Sequence, residues 1–127
     1  VLDTLNWIKE QGIAMAVASS TVLEKTVSHL EHAGLLHYFD AVVGGDMIEN
    51  GKPAPDIFLK AAQMLEVTAE NCAVIEDSPA GIQAAWSAQM MPVLIPDCVP
   101  ENPETKAMSA GVLTSMEQLI PFLRGQM

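Results

Sequence analysis

The chain has 127 residues, of which 50% are apolar and 17% are charged, so it is long and apolar enough for the core of one ordinary domain. Its 16 acidic residues outnumber its 6 basic ones and give a net charge of -10, which argues against nucleic acid or an anionic membrane as a partner. The apolar runs are too short to span a bilayer, and the two cysteines, Cys72 and Cys98, fit a reduced compartment. We therefore expect a cytoplasmic protein.

The first predicted elements are a helix and a buried strand. Leu2, Leu5 and Ile8 have helical spacing, and Gly12 is expected to end that helix. The run Ile13–Ala18 follows and is apolar at every position. A strand that is apolar on both faces is typical of the interior of a parallel sheet.

A second helix and strand follow in the same order. Thr21 and Glu24 form a capping-box pattern that opens the helix, and Gly34 is expected to end it. Residues Phe39–Gly44 predict the second strand, and Gly44–Pro55 predict a loop rich in glycine and proline.

The second half of the chain continues the alternation. Its predicted elements are a helix from Asp56, a strand at Cys72–Ile75, a helix at Pro79–Met90, a strand at Met91–Ile95, a loop at Pro96–Pro103, a strand position at Val112–Leu113 and a final helix capped by Ser115 and Gln118. Alternating helices and short buried strands predict an α/β fold with a parallel sheet and helices on both faces. The chain shows no repeat or linker, and we expect one unit over residues 1–127.

Two adjacent carboxylates, Glu76 and Asp77, follow the third predicted strand. Two carboxylates about 6 Å apart repel by roughly 2–3 kcal/mol at an effective dielectric near 20, so an enclosed pair favours a cation. Mg²⁺ suits such a pair because it prefers hard oxygen ligands. The alternative is an exposed acidic turn capped by Ser78.

Polar groups also follow the first two strands. Ser19, Ser20 and Thr21 stand at the start of the second helix, where hydroxyls and free N–H groups favour an anion such as phosphate, although Thr21 alone could simply cap the helix. Lys52 lies in the loop after the second strand, either as a phosphate-binding cation or as a solvated lysine. Ligands bind beyond the carboxyl ends of parallel strands, so these groups together could hold a phosphoryl group and its Mg²⁺.

Four segments carry a resemblance to a known family: AVASS at 16–20, VGGD at 43–46, GKPAPDIF at 51–58 and VIEDSPAGI at 74–82. They resemble motifs two to four of the haloacid dehalogenase superfamily, and in particular its β-phosphoglucomutase and phosphoglycolate phosphatase-like branch. The resemblance covers nearly the whole chain in order. It implies a Rossmann-like three-layer core, of which residues 1–127 would form a part.

The resemblance also implies roles for individual residues. Ser19 would hydrogen-bond the transferring phosphoryl group, and the backbone around Ser20 would help it. Lys52 would neutralise phosphoryl charge and steady the nucleophile. Asp77 would be a direct Mg²⁺ ligand, and Glu76 would act directly or through a metal-bound water.

The sequence also departs from the family pattern. The family's Asp-x-Asp motif, which supplies the nucleophile and the general acid and base, is absent, as are the strand that carries it and the cap domain. The chain is therefore expected to be a fragment, inactive by itself, and to bind Mg²⁺ only weakly. Trp86 and Gln89 stand where the family often has small residues and a glycine, so Gln89 would have to tolerate a tight helix end.

The missing strand also poses a physical problem, because in the family it lies between the strands predicted here at Ile13–Ala18 and Cys72–Ile75. Each buried backbone group without a partner costs about 1–3 kcal/mol, and several would exceed the roughly 5–15 kcal/mol that keeps a domain folded. Three solutions are open: direct pairing of those two strands, self-association with another copy through the unpaired edges, or residues of a larger parent protein.

The leading functional hypothesis is a parent enzyme that transfers a phosphoryl group from a small phosphorylated metabolite, often a sugar phosphate. It would be a Mg²⁺-dependent phosphatase or phosphomutase working through an aspartyl-phosphate. One alternative is a receiver-like domain, but a receiver places its acidic pair before its hydroxyl and lysine, whereas here Ser19 and Lys52 come before Glu76 and Asp77. A second alternative is a non-catalytic scaffold or interaction protein that retains the core.

Overall fold

The computed structural model describes residues 2–95, 111–112 and 118–126. Within these ranges it has five α-helices, named here α1 Leu2–Glu10, α2 Leu23–His32, α3 Asp56–Leu65, α4 Pro79–Ser87 and α5 Leu119–Gln126. It has five strands, β1 Ala16–Ala18, β2 Ala41–Val43, β3 Ala73–Glu76, β4 Met91–Leu94 and β5 Gly111–Val112. The order of elements is the predicted one. The predicted loop at Pro96–Pro103 and the predicted cap residue Ser115 lie outside the described ranges.

The first strand is shorter than the predicted Ile13–Ala18. The Asp40 carboxylate accepts a hydrogen bond from Met15 N at 3.0 Å, and Asp40 N donates to Met15 O at 2.7 Å. These contacts replace regular pairing before Ala16, so the β1–β2 ladder begins only at Ala16 and Ala41. The third strand also differs from the predicted Cys72–Ile75, because Glu76 is part of it and pairs with Leu94.

The end of α4 differs from the predicted Pro79–Met90. Regular helix stops at Ser87, and Gln89 has a positive φ of 63°. Gln89 N donates to Trp86 O at 3.0 Å and closes this last turn. The expectation that Gln89 must tolerate a tight helix end is confirmed. Trp86 is exposed on the outside of the helix, so this departure from the family pattern does not disturb the core.

The strands form two parallel sheets within the described residues. β1 pairs with β2, and β3, β4 and β5 form a second sheet in that order. β1 and β3 are not paired with each other, so the first of the three solutions, direct pairing of the strands predicted at Ile13–Ala18 and Cys72–Ile75, is wrong. The reason is that a cavity, lined by residues of both strands, separates β1 from β3.

Helices cover both sides of the strands and join the two sheets. On one side, α3 and α4 form a core in which Ile57, Phe58 and Ala84 pack with Val43 of β2 and Val74 of β3. On the other side, Ile8 of α1 and Leu119 of α5 pack around Val93 of β4. The predicted α/β three-layer arrangement is therefore confirmed.

A cavity of about 890 Å³ lies where the inner edges of β1 and β3 face each other. Its lining is mainly apolar and comes from both sheets and both helical layers, including Ile8, Ala16, Phe58, Val74 and Leu119. Ile75, in the middle of β3, also lines it and is 37% exposed. The inner edges of β1 and β3 thus have no strand partner among the described residues and lie beside an apolar space.

Two further sequence expectations concern the surface and the cysteines. No helix among the described residues is long and apolar enough to cross a membrane. Cys72, one of the two cysteines named above, is a free thiol that is half-buried just before β3, and its Sγ contacts Thr68 O at 3.4 Å. Burial raises the pKa of the Cys72 thiol.

Candidate active site

The best-defined polar contact is an ion pair between Lys52 and Glu76. Lys52 Nζ lies 2.6 Å from Glu76 Oε2, and the two side chains are only 17% and 11% exposed. The ammonium also lies 5.3 Å from the centre of the Phe58 ring, where the face of the ring attracts a cation. Lys52 is therefore held in place and is not a freely solvated loop lysine.

The second carboxylate oxygen of Glu76 is also bonded. Glu76 Oε1 accepts from Asp77 N at 3.1 Å and from Ser78 Oγ at 3.4 Å. Ser78 Oγ accepts from Gly81 N at 3.1 Å and so caps α4 as the sequence suggested. A Cβ at Gly81 would collide with the Glu76 side chain. The turn after β3 thus holds one oxygen of the Glu76 carboxylate, and Lys52 holds the other.

Asp77 differs from its neighbour. Its side chain is exposed, and its carboxylate accepts no hydrogen bond from the described residues. Lys52 already neutralises Glu76, so the electrostatic demand for a second cation is weaker than two bare carboxylates would create. Among the described residues no cluster of three or more His, Cys, Asp or Glu side chains could hold a metal.

The donor set nevertheless fits a weakly held Mg²⁺. Asp77 offers free, hard carboxylate oxygens next to a fixed second carboxylate on Glu76. Mg²⁺ is commonly held by one or two carboxylates, with waters and substrate phosphate completing its shell. The carboxylates of Asp77 and Glu76 match this mode of Mg²⁺ binding, in which protein side chains supply only part of the ligand shell.

Ser19 lies at the end of β1, in a loop whose backbone is tied to β2. Ser19 N donates to Val43 O at 2.9 Å, and Ser19 Oγ accepts from Thr21 N at 3.1 Å. Because the hydroxyl oxygen serves as an acceptor, its proton is free to be donated. Ser20 N–H has no acceptor among the described residues. The loop thus presents one hydroxyl donor and one backbone donor.

The predicted Thr21–Glu24 capping box is wrong. α2 begins at Leu23 after Val22, and no side chain from its own first turn caps it. The acceptor comes from another loop, because Asp46 Oδ1 accepts from Leu23 N at 2.8 Å. No local sequence pattern indicates this contact, since the two residues are 23 positions apart.

The structure brings some of the predicted site residues together and leaves others apart. Lys52 and Glu76 are in direct contact, with Asp77 next to them in the chain. Ser19 and Ser20 follow β1, which belongs to the other sheet, and no hydrogen bond in the described part of the chain links them to Lys52 or Glu76. Ala18 and Glu76, which end β1 and β3, line the same cavity.

Three residues that support the site were not predicted from the sequence. Phe58 stacks beneath the Lys52 ammonium, Gly81 leaves room for Glu76, and Asp46 caps α2. All three belong to segments that resemble the family motifs, but their contacts become visible only when the loops are folded.

Comparisons with known proteins agree with this architecture. The "Phosphorylated carbohydrates phosphatase" of Thermotoga maritima is 40% identical over 88 residues, which are 69% of this chain and 41% of that protein. "Protein SUPPRESSOR OF QUENCHING 1, chloroplastic" of Arabidopsis thaliana is 50% identical over 90 residues, 70% of this chain and 8% of that protein. The crystal structure of β-phosphoglucomutase from Clostridium difficile matches with a TM-score of 0.84 and 31% identity, and the alignment covers 97% of this chain and 52% of that one.

This chain therefore spans less than half of these two curated relatives and about half of the solved structure. A family model described as "Haloacid dehalogenase-like hydrolase" matches residues 1–95. That match covers well over half of the sequence, and the chain belongs to the haloacid dehalogenase-like hydrolase family.

Proposed function

We propose that this chain supplies part of a phosphoryl-transfer site in an enzyme that acts on a small phosphorylated metabolite, in particular a sugar phosphate. The observation that carries the proposal is the fixed Lys52–Glu76 ion pair beside the free carboxylate of Asp77. A buried cation next to a carboxylate with open ligand positions suits a dianionic phosphoryl group and its counter-ion. Phosphatase and phosphomutase relatives support the same class of reaction.

In this proposal Lys52 neutralises phosphoryl charge and orients the nucleophile. Its ammonium can do so because Glu76 and Phe58 hold it in one place. Ser19 donates its hydroxyl proton to a phosphoryl oxygen, and Ser20 N–H donates to another. Each group acts as a preorganised donor, so little reorganisation is needed when charge develops on the transferred group.

The proposed metal is Mg²⁺, with Asp77 as a direct ligand. Glu76 would act through a bound water, since both of its oxygens already have partners. When bound, the ion would neutralise phosphoryl charge and help align the group for in-line transfer. We expect weak binding in this chain because it offers only these two carboxylates.

The nucleophile of the reaction would come from elsewhere. The 127 residues contain no Asp-x-Asp motif, so the aspartyl-phosphate would form on a residue of a longer parent protein, and this chain alone would be inactive. Whether that parent passes the phosphoryl group to water or to a sugar depends on parts that lie outside this sequence. A cytoplasmic location belongs to the same proposal.

We also propose that a strand of the parent protein closes the cleft between β1 and β3. Self-association is the competing solution, in which a second copy would pair with the inner edges of β1 and β3. Light scattering on the purified chain distinguishes the two. A monomer supports the parent strand, and a dimer that dissociates when Ile75 is replaced by Lys would support self-association.

The phosphate site is tested by titrating the 127-residue chain with inorganic phosphate in the presence of Mg²⁺, followed by ³¹P NMR. We expect weak binding that Lys52→Met abolishes, whereas Lys25→Met, at an exposed position of α2, leaves it unchanged. If the wild-type chain binds no phosphate, the proposed site is wrong. Turnover of a chromogenic phosphate ester that Asp77→Asn abolishes would refute the claim that the chain alone is inactive.

The alternative of a non-catalytic scaffold is favoured by the missing Asp-x-Asp motif. The mass of the protein purified from its native source decides between the two. A mass that corresponds to 127 residues would support the scaffold, and a larger mass with phosphatase activity would support the enzyme.

A further inference from the structure

The loop after β2 contacts the loop after β1 through three consecutive residues, Gly44, Gly45 and Asp46. Gly45 N donates to Thr21 O at 2.8 Å, and Asp46 Oδ1 accepts from Leu23 N at 2.8 Å. The segment Ser19–Leu23 is therefore held at two points by the neighbouring loop, on either side of Val22.

The two glycines allow this close approach. A Cβ at Gly44 would collide with the backbone of Leu23, and a Cβ at Gly45 would collide with the carbonyl oxygen of Ser20. Neither glycine has a positive φ, so the requirement for glycine comes from space and not from backbone conformation. The two loops are packed backbone against backbone.

We propose that Asp46 is a positioning residue for the phosphate-binding loop, a role that rests on the function proposed above. Its carboxylate fixes the first turn of α2 and thereby orients the Ser19 hydroxyl and the Ser20 N–H toward the phosphoryl group. Because Asp46 already occupies Leu23 N–H, the phosphate is bound by the donors of the loop and not by this first helical N–H.

Two neighbouring features agree with a positioning role. Val22, the residue before the helix, has an apolar side chain and makes no capping hydrogen bond, so Asp46 is the side-chain cap seen among the described residues. Ser19 Oγ accepts from Thr21 N, which links the hydroxyl directly to the segment that Asp46 and Gly45 hold. A shift of Leu23 would therefore move Thr21 and release Ser19.

The chain contains a matched control at the opposite end of the same two strands. Asp40 also lies next to β2 and also accepts from a backbone N–H beside β1, since its Oδ2 lies 3.0 Å from Met15 N. Asp40→Ala and Asp46→Ala each remove one exposed carboxylate that accepts one backbone hydrogen bond. Only Asp46 is next to the proposed phosphate donors.

The experiment is a titration of the 127-residue chain and its variants with inorganic phosphate and Mg²⁺, followed by ³¹P NMR. We expect Asp46→Ala to weaken phosphate binding roughly tenfold, the equivalent of one charge-assisted hydrogen bond. Asp40→Ala should stay within about twofold of wild type, because it costs stability but does not touch the loop. Asp46→Asn keeps an acceptor oxygen and should stay within about threefold.

Amide hydrogen exchange at Ser20 to Leu23 gives a second readout that does not depend on phosphate. Faster exchange there in Asp46→Ala and not in Asp40→Ala supports the positioning role. Unchanged exchange in Asp46→Ala, or equal losses of phosphate affinity in both alanine variants, overturns it. If wild type binds no phosphate, the proposed function fails, and the exchange result alone decides whether Asp46 orders the loop.

Discussion

Strand β4 and the two strands that flank the cleft have similar apolar sequences but different environments. β4 lies between β3 and β5, and its Val93 and Leu94 are 0% and 3% exposed. Within the described part of the chain β1 has a strand partner on one side only and contains no fully buried residue, and β3 leaves Ile75 partly exposed to the cleft. Burial thus depends on neighbouring strands and not on apolarity alone.

This difference separates the part of the molecule that provides the buried core from the part that carries the site residues. The centre of the second sheet provides buried apolar surface, whereas the strands beside the cleft carry the polar residues of the site at their ends. The ion pair of Lys52 and Glu76 connects the two sheets, because Lys52 follows β2 of the first sheet and Glu76 ends β3 of the second. The site therefore lies where the packing is least complete.

The largest expected effect compares the same substitution in the two environments. Val93→Ala should lower the free energy of unfolding by about 2–3 kcal/mol, because it removes fully buried methyl groups and leaves a cavity. Val17→Ala, on half-buried β1, should cost about 1 kcal/mol or less. Urea unfolding measures both. Equal losses would show that β1 is as well packed as β4 and would contradict the comparison.

A second prediction concerns the contact that joins the sheets. Lys52→Met should cost about 2 kcal/mol, because it leaves the largely buried Glu76 carboxylate without its cation. Adding Glu76→Gln should recover part of the loss, since a neutral amide is cheaper to leave unpaired. Lys25→Met, at an exposed position, should change stability by less than about 0.5 kcal/mol. A Lys52→Met variant as stable as wild type would mean that the ion pair does not hold the sheets together.

Much of the fold could be predicted from local signals in the sequence. Gly12 and Gly34 have positive φ angles at the ends of the first two helices, and Ser78 caps α4 ahead of Pro79, as each residue type suggests. Such signals depend on residues that are close in sequence, so they can be recognised without knowledge of the tertiary structure. The class of fold followed from the alternation of these elements.

The rest depended on contacts between distant parts of the chain. Asp40 shortens β1 from 25 residues away, and Asp46 replaces the predicted cap of α2. Lys52 and Glu76 were both proposed as site residues, but nothing in their local sequence shows that they form an ion pair, which halves the charge available for a metal. The split between β1 and β3 was anticipated only through the family resemblance, because strand pairing is a property of the whole chain and not of either strand's own residues.

The smallest expected change in stability distinguishes the two acids at the end of β3. Asp77→Asn should alter the free energy of unfolding by no more than about 0.5 kcal/mol, because the side chain is exposed and bonds to no described residue. The same variant should remove most of the weak Mg²⁺ binding measured by calorimetry, since it takes away the free hard-oxygen donor. Glu76→Gln should show the opposite pattern, with a clear loss of stability because Lys52 loses its partner. If Asp77→Asn destabilised the chain as much as Glu76→Gln, both acids would be structural, and the division between a fixed and a free carboxylate would be wrong.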